Sequence, residues 1–118
     1  MQQQPYEPQP RDLERKLTEL FPNEGLRAAA RAALSRYGRQ NWHAEIDRVR
    51  LAILKLAGAD LTAIDKAVDA ADVDYRDTLA AAEYPAYSLL RPGIDPLDPE
   101  AQSAIESDRR QYLEWIGS

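Results

Sequence analysis

The chain contains no cysteine, which excludes disulfide staples, thiolate metal centres and a cysteine nucleophile. A single histidine, His43, leaves no Glu-x-x-His pair of the kind that builds metal sites inside helical bundles. The five glycines stand apart, so no glycine-rich turn exists to cradle a phosphate. No G-x-S-x-G element gives any serine a nucleophile context. No stretch approaches the roughly 18 apolar residues of a membrane span. The Gln- and Pro-rich start has neither the basic nor the apolar region of a secretory signal. With no catalytic, cofactor or metal constellation, the expectation is a non-enzymatic cytoplasmic protein with no cofactor and no membrane contact.

What is present reads as helix. At 118 residues the chain is the size of one domain. Residues 1–10 have almost nothing to bury and are expected to be a disordered Gln/Pro-rich tail, with residues 11–118 as a single helical domain. The spacing Pro5 to Pro8 matches a proline-recognition ligand, a short pattern that chance supplies often. Leu13, Leu17, Leu20 and Phe21 mark a first helix over 11–21. Asp12 and Lys16 stand at i, i+4 in the favourable order. Asn23 caps a second helix carrying Leu26, Ala30, Ala33, Leu34 and Tyr37, which stops at Gly38.

Trp42, Ile46, Val49, Ile53 and Leu56 then recur at steps of four and three, predicting a third helix over 41–57. The longest pattern follows. Leu61, Ile64, Val68, Ala71, Tyr75, Leu79 and Ala82 share one face, predicting a single fourth helix from its cap at Asp60 to Tyr84. The short link of Gly58, Ala59 and Asp60 makes helices three and four an antiparallel hairpin. Residues 86–97 carry Pro92-Gly93 and Asp95-Pro96 turns among Tyr87, Leu89, Leu90, Ile94 and Leu97. A loop this apolar should lie against the bundle. Asp98-Pro99-Glu100 starts the last helix, with Ala101, Ile105, Tyr112 and Ile116 inward. The fold expected is all-α, a five-helix bundle built on that central antiparallel hairpin.

Four constellations are candidates for function. Asp65, Asp69 and Asp72 line one flank of the long stripe, with Asp74 and Asp77 on the other. They lack a calcium loop's glycine and terminal glutamate, so a solvated acidic face is favoured, with Arg76 pairing to Asp72. His43 suits acid–base work but has no suitable neighbours, and reads as a surface or capping residue. Arg27, Arg31, Arg36, Arg39, Arg48 and Arg50 could face nucleic acid, yet the net charge is −5 and Glu45 and Asp47 interrupt the row. Nucleic acid is therefore the disfavoured alternative partner. The charge is asymmetric, +4 over residues 11–55 and −8 over 56–118, which suits two halves that pack on each other. Lastly, tyrosines gather near the apolar loop. Tyr75, Arg76, Glu83, Tyr84, Tyr87, Leu90 and Arg91 form the candidate interaction surface for another protein or a second copy of this chain. Burial of the tyrosine rings under the loop is the competing reading.

The run from Arg48 to Gly58, followed by Asp74-Tyr75-Arg76-Asp77 and Ala82-Glu83-Tyr84-Pro85, resembles an uncharacterised family of small bacterial helical proteins. The resemblance covers about a third of the chain. It implies a bacterial origin and a helical fold, brings no activity, and marks Tyr75, Arg76, Asp77, Glu83 and Tyr84 as positions to test.

Overall fold

A computed structural model describes residues 9–117. The tail expected over residues 1–10, with its Pro5–Pro8 spacing, falls mostly outside the described residues. Its last member, Pro10, is the first residue of a helix. Among the described residues the structure is all-helical, with seven helices in place of the five expected. These are α1 (Pro10–Leu20), α2 (Glu24–Ser35), α3 (Ile46–Ala57), α4 (Leu61–Val73), α5 (Tyr75–Glu83), α6 (Pro85–Ser88) and α7 (Pro99–Gly117).

Helix α3 is the core element. Val49, Leu51, Ala52, Ile53 and Leu54 are all fully buried, so the helix is covered on nearly every side. It packs on α1, α2, α4 and α5. Leu17, Phe21, Leu34, Tyr37, Ile64, Val68 and Leu79 close over it. Burial brings one charged group with it. Arg48 donates from Nε and Nη2 to the two carboxylate oxygens of Glu83 on α5, at 2.7 and 2.5 Å. Glu83 is itself buried and Arg48 partly so, and the parallel pair satisfies the carboxylate where little water reaches it. Its carboxylate holds the Arg48 guanidinium above its ordinary pKa, against the opposing effect of burial.

The expected third helix begins five residues late, at Ile46. The preceding Glu45 has φ 53°, a left-handed backbone that an α-helix cannot contain. Trp42 consequently leaves the inferred stripe and is 62% exposed. Leu26 and Leu56, also assigned inward faces, are exposed too.

The single long helix expected over 60–84 is two helices. Asp74, at φ −153° and ψ 100°, ends α4 and caps α5, its carboxylate accepting the Arg76 N–H at 3.0 Å. The inward stripe nevertheless runs through the break. Ile64, Val68, Ala71, Leu79 and Ala82 are buried, while Leu61 and Tyr75 pack against the same core. A four-residue step from Ala71 to Tyr75 keeps both segments facing α3.

Asn23 and Asp60 cap as expected, accepting N–H bonds from Leu26 and from Thr62 and Ala63. The loop before α7 differs from expectation. Leu89 and Leu97 are exposed, and its anchor is polar rather than apolar. Buried Asp108 on α7 accepts the N–H groups of Ala86 and Tyr87, both at 2.9 Å, capping the short α6 from outside the segment. The far end of α7 is held by α1. Arg15 donates to the carbonyl of Ile116 at 2.5 Å and Lys16 to that of Trp115 at 2.7 Å, cations on the negative end of a helix.

Asp108→Ala removes a buried carboxylate that accepts two backbone amides, and should cost about 1–3 kcal/mol in urea unfolding. The same variant should speed hydrogen exchange at Ala86 and Tyr87 while leaving α3 protected.

Candidate ligand pocket at the break between α4 and α5

Ten residues, 36–45, join α2 to α3, and their backbone is organised around one side chain. Nδ1 of His43 accepts N–H bonds from Gly38 at 2.7 Å and Gln40 at 3.2 Å. An acceptor at Nδ1 puts the ring proton on Nε2, which donates to Asp72 Oδ1 in the last turn of α4. The ring stacks on Tyr37, centroids 4.3 Å apart, and meets Trp42 edge-on. Its side chain is only 2% exposed. Tyr37 donates its hydroxyl to Ala44 at 2.7 Å, and Arg50 donates to the Tyr37 carbonyl at 2.9 Å. Burial pushes the Tyr37 phenol above its ordinary value of 10.0, so the group stays a donor. His43 is thus the buried centre of a folded loop, not the surface or capping residue expected.

Between this loop and the α4–α5 break lies a cavity of about 310 Å³. Tyr37, His43 and Ala71 are among its lining residues, and Asp72, Asp74, Tyr75 and Arg76 line it as well. Trp42 and Val73 complete the lining, and are 62% and 89% exposed. Two large apolar side chains in water, lining an aromatic, carboxylate-bearing hollow, are features that a packing role does not account for.

The charges here are arranged unequally. Arg76 donates from Nε and Nη2 to both oxygens of Asp74, at 3.0 and 3.2 Å. The expected i, i+4 pair with Asp72 is absent, because the break at Asp74 removes the helical spacing that would bring the two together. The guanidinium and the Arg76 N–H hold the Asp74 carboxyl below its ordinary value of 3.8. Asp72 meets the His43 imidazole on Oδ1 and, among the described residues, has no arginine or lysine beside it. Asp69 and Asp65, one and two turns earlier on α4, both lie 3.4 Å from Arg36 just after α2. The acidic row is solvated as expected, its carboxylates more than half exposed, and it also meets Arg36 at the surface.

The candidate surface read from the sequence is divided by the structure. Tyr75 and Arg76 open α5 and line the cavity, whereas Glu83 and Tyr84 lie at its other end, about 13 Å along the axis. Glu83 is buried on Arg48. Tyr87 and Leu90 are half-buried near α7, and Arg91 reaches Asp98 and Glu100 at 3.7 and 3.5 Å. Trp42, His43 and Asp72 were not brought together by sequence reasoning. The Gly38 to His43 turn, with a lone histidine five residues after a glycine, is the signal that could have joined them. Among the described residues no group of His, Asp and Glu is arranged to hold a metal ion, and no helix is long and apolar enough to cross a membrane. No protein-family model, curated protein or solved structure matches the chain.

Two measurements check this geometry. Gly38 has φ +117°, and an added Cβ would sit 2.7 Å from Arg50 Nη2 and 3.1 Å from Ile46 Cγ2. Gly38→Ala should cost about 1–3 kcal/mol in chemical denaturation. Gly58→Ala, also at positive φ but in open space, should cost less. Because the folded pKa of Asp74 is depressed, its charge stabilises the fold above 3.8, and that contribution is lost as pH falls through the folded value. The stability difference between the native chain and Asp74→Asn should be largest near neutrality and vanish at the acid end of a pH series.

Proposed function

We propose that this protein is a non-enzymatic interaction module of the bacterial cytoplasm, and that a partner protein docks in the cavity between the 36–45 loop and the α4–α5 break. The observation that carries the reading is the pairing of exposed Trp42 and Val73 around a preorganised aromatic hollow. A non-enzymatic role is supported by the state of His43. Both ring nitrogens are committed, one to two backbone amides and the other to Asp72, so neither is available to a reacting proton. Bacterial origin follows the sequence resemblance.

The alternative, nucleic-acid binding through the second and third helices, draws little support from the arginines it needs. Arg27 donates to the Phe21 and Pro22 carbonyls, and Arg31 to both oxygens of Glu14. Arg36, Arg48 and Arg50 are likewise spent on Asp65 and Asp69, on Glu83, and on the Tyr37 carbonyl.

The test is affinity capture from the host with three baits: the native chain, Trp42→Ala with Val73→Ser, and Tyr84→Ala with Tyr87→Ala. The first double variant should lose a captured protein at least tenfold while the second retains it. Retention by the first and loss by the second would move the site to the tyrosine end of α5 and sink the pocket. Circular dichroism of both variants controls for folding.

A further inference from the structure

The pocket's charge and shape indicate what kind of group it takes. Asp72 is the only carboxylate lining the cavity that lacks a cationic partner, because Asp74 is covered on both oxygens by Arg76. Its carboxylate is about half exposed, and His43 fixes one oxygen without neutralising it. An anionic occupant would meet Asp72 with Arg76 already taken. A purely apolar occupant would strip water from Asp72 and return nothing. A cation meets both requirements, since the aromatic side chains of Trp42 and Tyr75 line the same cavity as the carboxylate. Among cations, a guanidinium is planar, weakly hydrated and able to stack while it pairs with a carboxylate.

We propose that the cavity receives a guanidinium group, presented by an arginine side chain of a partner protein, stacked on Trp42 and paired with Asp72. This rests on the pocket being the docking site. Arg76 on Asp74 then sets the specificity. It withholds the second carboxylate, so the cavity offers one net negative charge to one positive group.

The experiment titrates the full chain with acetylated, amidated Gly-Arg-Gly peptide, its citrulline isostere, and the Gly-Lys-Gly and Gly-Glu-Gly analogues, following the Trp42 indole and the Asp72 and Tyr75 amides by NMR. The arginine peptide should shift these signals saturably. The citrulline peptide, which keeps the shape and loses the charge, should bind at least tenfold more weakly, and the acidic peptide should not bind. Asp72→Asn retains an acceptor for His43 but should weaken the arginine peptide at least tenfold, and Trp42→Ala should weaken it similarly. Arg76→Gln uncovers Asp74 and should tighten binding. Equal binding of arginine and citrulline peptides, both lost in Trp42→Ala, would overturn the guanidinium assignment and leave the pocket standing. Absence of any saturable shift with all four peptides, or weaker binding by Arg76→Gln, would also overturn it. The capture experiment decides the docking site separately.

Discussion

Everything in this molecule follows from the need to cover α3 on all sides. An amphipathic helix has one face to bury and can sit at a surface. Five fully buried residues within six positions make α3 an interior helix, and each Val, Leu or Ile side chain removed from water is worth about 1.5–3 kcal/mol. One partner helix cannot cover it, so α1, α2, α4 and α5 are drawn around it. The arginines at its start then cannot remain bare. Arg48 is answered by Glu83, and Arg50 by the carbonyl of Tyr37. The second of these bonds fixes where the 36–45 loop leaves α2, and hence where His43 can reach.

The charge asymmetry along the chain acquires a structural meaning from the same arrangement. Arg36 with Asp65 and Asp69, Arg48 with Glu83, and His43 with Asp72 all join the basic first half to the acidic second half. These pairs lie at the seams around α3, where one helix must choose its neighbour. Apolar burial does not discriminate well between alternative neighbours of similar shape, whereas placing like charges across a seam is costly. The long-range polar pairs therefore act mainly on which helix packs where, and less on how strongly.

The helices themselves were largely legible in the sequence. The stripe of Leu13, Leu17 and Phe21 is buried as read, and the caps at Asn23 and Asp60 stand where hydrogen-bond chemistry demands them. The break at Asp74 was concealed because the apolar period passes through it unchanged. Its local signal was an aspartate with a second acid three residues later, the spacing of a helix start. The α2–α3 loop was concealed by the opposite accident. Trp42 and Ile46 are four apart and continue the period of α3, while the left-handed Glu45 that separates them leaves no mark in the apolar spacing. Asp108 illustrates the same limit. It occupies the inward row between Ile105 and Tyr112, where a polar residue interrupts the apolar spacing, and is the anchor for α6. The pocket was the least legible feature, since its walls come from three segments that only the packing of α2 and α4 on α3 assembles.

The folded loop around His43 also sets where this chain can change length. The histidine must meet two amides behind it and one carboxylate on a different helix at the same time. A residue added between Gly38 and His43 would lengthen that turn, carry the ring off Tyr37 and leave Asp72 with nothing opposite. The stretch 91–97 closes on turns at an exposed surface, where added chain costs little beyond closure entropy. Relatives of this protein should therefore hold the first spacing constant and vary the second freely, a difference by which they can be told apart from unrelated helical bundles.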